Sequence, residues 1–161
     1  MINVRPVQQG DITSLVDIDL KCFEDALSLD DWRVVLNDPH MSIKIGLYRN
    51  TPVGCIVWDI LKGVPTIFRL AVKPAFRGNG LGRLLITSVV DSARLASLHT
   101  IAITVTESMC NPTSHMDVSR WLISNGFEAK RVLKDKGVFC GQREDAFEFQ
   151  LNIKDWRTRH A

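Results

Sequence analysis

Between Phe68 and Ile86 the chain reads FRLAVKPAFRGNGLGRLLI. Gly78, Gly80 and Gly82 alternate with Asn79 and Leu81, and Arg77 and Arg83 flank them. An apolar strand that delivers into a glycine-rich loop opening a helix presents unpaired backbone N–H groups, where the helix macrodipole favours negative charge. The three glycines let the backbone come close to a ligand without a Cβ in the way. Arg77 and Arg83 add charge-assisted contacts to phosphate oxygens. The expected ligand carries a phosphate or pyrophosphate. Two familiar phosphate loops do not fit. The glycines lack the G-x-G-x-x-G spacing, with no acidic strand end about 20 residues on. No G-K-[ST] ending is present either. A tight turn ahead of a helix is the competing reading, and three glycines beside arginine favour the anion site over it.

Metal chemistry is not expected. Cys22, Cys55, Cys110 and Cys140 occur singly with no C-x-x-C spacing, and His40, His99, His115 and His160 are equally scattered. Neither a zinc site nor a disulfide framework follows from such a pattern.

The elements that must position the loop follow from period and punctuation. INVRPV alternates as a short strand, and DITSLVDIDLKCF carries a helical stripe with Asp11 or Thr13 as N-cap. SLDDWRVVLNDPH reads as a second helix, capped by Ser28 or Asp30 and stopped before Pro39. IKIGLYRN, CIVWDIL and PTIFRLAV, separated by turns, the first over Asn50–Gly54, predict an antiparallel meander. From Leu81 to about Ser97 apolar residues recur at three and four, an amphipathic helix. TIAITVT is a strand, and NPTSHMDVSRWLISNGF a helix ended by Gly126. FEAKRVL and DAFEFQLNI close the chain as two strands around a loose polar turn, KDKGVFCGQRE. The order predicts an α/β single domain: a central mixed, mostly antiparallel sheet of about seven strands with four flanking helices. It spans residues 1–153, with a polar tail over 154–161.

Composition agrees with one domain. The 161 residues are 45% hydrophobic, enough for one core. A net charge of +2, from 20 basic against 18 acidic side chains, gives no field for nucleic acid. No apolar run reaches the roughly 20 residues of a membrane span, and the N-terminal stretch turns polar too soon for a secretory signal. A cytoplasmic location is expected.

LAVKPAFRGNGLGRLL resembles the acyl-CoA signature of the GNAT superfamily of N-acyltransferases, whose loop reads R/Q-x-x-G-x-G/A. The preceding LAV strand, Pro74 and the long following helix belong to the same context, and the order of elements matches over nearly the whole chain. CFEDALSLDDW, ISNGF and REDAFEFQL are similar to bacterial ribosomal-protein N-terminal acetyltransferases. The resemblance implies acetyl-CoA as acyl donor. It also implies that the backbone of Leu70, Ala71 and Val72 bonds the pantetheine arm, and that the N–H groups from Arg77 through Gly78, Asn79, Gly80, Leu81 and Gly82 to Arg83 hold the pyrophosphate. The strand before the loop should splay from TIAITVT to admit the thioester, in the manner of strand addition.

The implied reaction is direct attack of a primary amine on the thioester, which needs a proton acceptor because an ammonium is not a nucleophile. In the ribosomal-protein enzymes a glutamate stands where this chain has Thr104. Glu107, at the strand end, is the nearest carboxylate and the first candidate base. Asp59 and His115 are alternatives, and Cys110 is a candidate contact to the leaving group. The tyrosine general acid of many members is replaced by Leu122, with Trp121 beside it, and the usual asparagine by His115. The sole tyrosine, Tyr48, lies on an early strand. The acceptor, a protein N-terminus or a small-molecule amine, should meet residues around Phe23–Trp32 and Val138–Arg143, where Glu24, Asp25, Asp30 and Asp31 suit either a cation or helix capping. A CoA-binding module without catalysis is the alternative to the enzyme, and the last strand, if exposed, offers a homodimer edge.

Overall fold

Local chemistry sets most element boundaries in the computed structural model. It describes residues 1–60, 63–106, 118–139 and 142–156, with 136–139, 142 and 143 followed by backbone alone. The elements are β1 (Ile2–Pro6), α1 (Ile12–Cys22), α2 (Leu29–Asn37), β2 (Met41–Tyr48), β3 (Thr51–Asp59), β4 (Thr66–Val72), α3 (Leu81–Leu95), β5 (Thr100–Thr106), α4 (Val118–Ser124), β6 (Glu128–Phe139) and β7 (Gln142–Asn152). Ser28 caps α2 reciprocally: its Oγ accepts from Asp31 N–H at 3.1 Å, and Ser28 N–H donates to the Asp31 carboxylate at 3.0 Å. The β2–β3 hairpin turns on Arg49 and Asn50, both at positive φ, as a two-residue hairpin loop matched to strand twist requires. Gly126, at φ 96°, ends α4.

The seven strands form one sheet in the order β1-β2-β3-β4-β5-β7-β6. Every neighbouring pair is antiparallel except β4 and β5. One face carries α1 and α2 over a cluster that includes Leu15, Ile18, Trp32, Ile45, Cys55 and Val57. The other carries α3 and α4 over Ile56, Trp58, Leu85, Val89, Leu122, Phe127 and Phe149. This is the expected mixed sheet with four helices. Among the described residues no helix is long and apolar enough to cross a membrane.

Four expectations change. The polar stretch after Leu133 is not a loose turn: β6 runs to Phe139 and β7 begins at Gln142, with the irregularity absorbed as a register shift between Leu133 and Gly137. The last strand is not an edge, because β7 lies between β5 and β6 and leaves β6 outermost. The β2–β3 turn falls on Arg49 and Asn50 and not over the expected Asn50–Gly54, because β3 already begins at Thr51. Asp11 stands at the N-cap position of α1 as expected, without a cap hydrogen bond from its side chain. Its carboxylate instead takes two hydrogen bonds from Arg5, at 2.7 and 2.8 Å, and one from Gln8 N–H at 2.7 Å. The tail also starts later than Lys154: Trp156 is 3% exposed and donates its indole N–H to Thr87 Oγ1 at 3.1 Å.

Candidate functional site

The site begins as a gap in the sheet. β4 and β5 pair only at Thr66–Ala102 and Ile67–Ile103, and beyond that point both strands line a cleft of about 790 Å³. A β-bulge sets which edge of β4 faces the gap. Val57 is opposite Arg69 and Trp58 opposite Ile67, so Phe68 is left out of register. Lys73 N–H donates to Val53 C=O at 2.8 Å. By the two-residue alternation of an antiparallel ladder, Arg69 and Ala71 then turn their backbone groups to β3, and Leu70 and Val72 turn theirs to the gap. Of the three residues assigned to the pantetheine arm, Leu70 and Val72 thus present the open edge, while Ala71 is opposite Cys55.

β4 delivers into a short 3-10 turn over Pro74–Phe76 and then into the glycine loop. Gly78 and Gly80 sit at φ 84° and 83°, a conformation costly for residues with a Cβ. Gly80 caps α3, and the first intrahelical bond runs from Leu84 N–H to Gly80 C=O at 3.0 Å. The N–H groups of Leu81, Gly82 and Arg83 therefore precede the helical ladder and point out of its start, a cradle for an anion. The helix start is seated by residues the sequence reading missed. Gly46 and Gly54 are cross-strand partners. Leu81 fills the space above both, 3.1 and 3.4 Å from where their Cβ atoms would be.

The two arginines have separate work. Arg77 Nε donates to the Val72 C=O at 2.8 Å, pinning the loop to the end of β4. Cys22 Sγ reaches the same oxygen at 3.4 Å. Burial pushes the Cys22 thiol pKa up, against the pull of Arg77, so it stays a neutral thiol. The Arg83 guanidinium turns from the expected phosphate contact: it donates to Asn125 Oδ1 and stacks over the Trp156 ring at 4.2 Å. Gly82 likewise has a neighbour, since a Cβ there would lie 3.2 Å from Trp121 Cζ2. Asn79 donates from Nδ2 to Phe76 C=O at 3.4 Å, and Phe76 packs on Tyr48 with ring centroids 5.3 Å apart.

On the α1/α2 face, Arg69 forms a bidentate pair with fully buried Asp19, at 2.9 and 2.7 Å. The same guanidinium donates to Asp25 C=O at 3.2 Å and lies 4.1 Å over the Phe23 ring. Leu27 N–H donates to Asp19 at 2.6 Å. These contacts fasten the α1–α2 connection against β4, where the acceptor was expected. A charge inside the apolar runs of α1 and β4 was the sequence signal for this pair.

Asp59 lines the cleft, the one carboxylate to do so among the described residues, and Thr104 lines it from β5. Opposite Thr104 stands Glu148 on β7. Burial opposes its ionisation, but hydrogen bonds from Gln150 and Arg131 together hold its carboxyl below the usual range, which makes it a weak proton acceptor. Leu122 is fully buried in the α3/α4 core, while Trp121 and Val118 of α4 line the cleft. Glu107, Cys110 and His115, and the side chains at 138–143, lie outside the described residues. No group of three or more metal-ligating side chains occurs among the described residues.

Residues 12–115 match the model of the Acetyltransferase (GNAT) family. A search of curated proteins found no relative of significant similarity. Among solved structures, the chain is similar to the ribosomal-protein-S18-alanine N-acetyltransferase from Escherichia coli, at TM-score 0.78 and 17% identity over 99% of this chain and 97% of that one. It is also similar to Arabidopsis thaliana NAA60 in complex with acetyl-CoA, at TM-score 0.80 and 18% identity, covering 96% and 99% of the two chains. A third is spermidine/spermine N-acetyltransferase SpeG from Vibrio cholerae, at TM-score 0.71 and 16% identity, with 95% and 93% covered. At these identities the structural likeness speaks for the fold.

Proposed function

This chain belongs to the GNAT acetyltransferase family, and we propose that it moves an acetyl group from acetyl-CoA to a primary amine by direct attack, the acceptor being a protein N-terminus or a small-molecule amine. The observation that carries the reading is the gap between β4 and β5, which joins the anion cradle at the start of α3 to the acceptor face under α1 and α2. The open edge at Leu70 and Val72 suits the amide-bearing pantetheine arm, and the cradle suits its pyrophosphate. An acceptor entering from the α1/α2 face meets the wall fastened by Arg69 and Asp19. The neutral amine nitrogen attacks the thioester carbonyl carbon, the C–S bond breaks, and the thiolate leaves. A thiolate whose ordinary pKa is about 8.5 can take its proton from water, so a tyrosine at position 122 is not essential.

Glu107, the residue that follows β5 in the sequence, is the proposed proton acceptor, with His115 as a second catalytic group. Asp59 is the competing base, supported by its place in the cleft. The second reading, a CoA-binding module without turnover, rests on Leu122 standing where many family members have the tyrosine. Free thiols at Cys22 and Cys55 fit a reducing, cytoplasmic setting. The test is release of free CoA from acetyl-CoA in the presence of an alanine-initiated peptide or spermidine. Amine-dependent release supports the transferase; binding of acetyl-CoA without release to either amine leaves the module.

A further inference from the structure

α4 presents two side chains one turn apart, Val118 and Trp121, to the cleft. Leu122, next in sequence, points into the core and is fully buried. Trp121 is half-buried, and its six-membered ring lies against the first turn of α3, 3.2 Å (Cζ2) and 3.4 Å (Cη2) from where a Gly82 Cβ would be. That spacing is tighter than an ordinary side-chain contact, so a residue larger than glycine at 82 would push the indole away.

The end of α4 that carries the indole is fastened to α3 as well. Asn125 Nδ2 donates to the Trp121 C=O at 2.8 Å, and Asn125 N–H to the same oxygen at 3.2 Å. Asn125 Oδ1 accepts from Arg83, which stacks on Trp156. Trp156 in turn donates to Thr87 on α3. Arg83, Asn125 and Trp156 therefore form a strut that fixes α4 against the start of α3 and sets Trp121 over Gly82.

We infer that Trp121 is a cofactor-binding residue, the apolar wall opposite the Leu70–Val72 edge that holds the pantetheine arm of acyl-CoA in the gap, and that Gly82 is glycine to seat this indole. The inference rests on the acetyl-CoA reading above and adds to it. A strand edge satisfies the arm's amides, but its methylene and gem-dimethyl groups need an apolar surface. An indole supplies a large one at little cost in conformational freedom. In this chain the third glycine of the loop serves the wall, and the cradle proper is the Gly78–Gly80 backbone with the first N–H groups of α3.

The experiment is calorimetric titration of the full chain with acetyl-CoA and with CoA, for the wild type, Trp121→Phe, Trp121→Ala, Gly82→Ala and the Gly82→Ala/Trp121→Ala double variant. Thermal unfolding of each reports that it is folded. Losing the wall should weaken both ligands about tenfold in Trp121→Ala, and Trp121→Phe should recover most of that loss. Gly82→Ala alone should also weaken binding, whereas adding it to Trp121→Ala should change little, because the indole it displaces is already gone. If Trp121→Ala does not fold, Trp121→Val takes its place, alone and combined with Gly82→Ala, with the same outcomes expected. Acyl-CoA should also change tryptophan fluorescence in the wild type and much less in Trp121→Phe. Wild-type affinity in Trp121→Ala, or penalties for Gly82 and Trp121 that simply add, would overturn the inference and leave the transferase reading standing. Failure of the wild type to bind either ligand would overturn the transferase reading itself.

Discussion

Replacing Arg69 with methionine keeps much of the side chain's apolar stem and removes its charge. In the native structure the Asp19 carboxylate is fully buried and receives two hydrogen bonds from Arg69 and one from Leu27 N–H. Arg69 is itself only 17% exposed, so solvent cannot easily replace it. Removing one partner of a buried ion pair typically costs about 3–5 kcal/mol, because the other charge is left uncompensated. For a domain of this size that corresponds to a fall in Tm of roughly 6–20 °C. Adding Asp19→Leu removes the stranded charge and should recover a large part of the loss, since an apolar pair in place of a buried ion pair is often neutral. Urea unfolding of the wild type, both single variants and the double gives the coupling directly. The functional half of the prediction is separate. Arg69 also holds the Asp25 carbonyl and the Phe23 ring, so Arg69→Met should raise KM for the amine while acetyl-CoA affinity, set across the sheet at the glycine loop, changes little. A stability loss below about 1 kcal/mol, the range of an exposed pair, would refute the reasoning, as would equal losses in amine and cofactor affinity.

Other outcomes follow from single contacts. Gly54→Ala places a Cβ 2.9 Å from the Ala71 carbonyl oxygen, so it should cost about 1–3 kcal/mol; a wild-type melting curve would contradict this. Arg77→Ala removes the bond to Val72 C=O and should weaken acetyl-CoA severalfold in titration, with Lys a poor substitute because it lacks the fixed Nε donor. Arg5 holds the Asp11 carboxyl below its ordinary range, outweighing burial, with the Gln8 N–H adding to the effect. Stability from this pair is present above the unfolded carboxylate pKa and lost as pH falls through the lower, folded value. Unfolding free energy of Asp11→Asn should therefore show a shallower acid limb than the wild type, and identical limbs would contradict the assignment. Glu107→Gln should lower kcat by about 10²-fold or more at unchanged acetyl-CoA affinity, while normal turnover would shift the base to Asp59 or His115.

Much of this architecture is legible from residue order. Ser28 as the cap of α2 and the switch from strand to helix period at Leu81 are local signals, and they give the elements and the loop, whereas the first hairpin turns on Arg49 and Asn50 and not over the expected Asn50–Gly54. What escaped is set by neighbours distant in the chain. That Arg83 turns to Asn125 and Trp156, and that Gly46 and Gly54 make room for Leu81, depends on contacts between elements that no spacing displays. The insertion of β7 between β5 and β6 is of the same kind, because two adjacent strands of similar pattern do not declare which one is outermost. The bulge at Phe68 reverses the edge that β4 offers to the gap and so narrows three backbone contacts to Leu70 and Val72. The base candidate Glu107 rests on the sequence, and Asp59 on both sequence and cleft.

Parallel calorimetric titration of the wild-type chain with acetyl-CoA, free CoA and ATP tests the central claim most directly. Saturable one-to-one binding of both CoA forms with no binding of ATP is the predicted result, since the pantetheine arm must occupy the β4–β5 gap while the pyrophosphate rests on the loop. Equal binding of ATP, or no binding of either CoA form, would contradict the account.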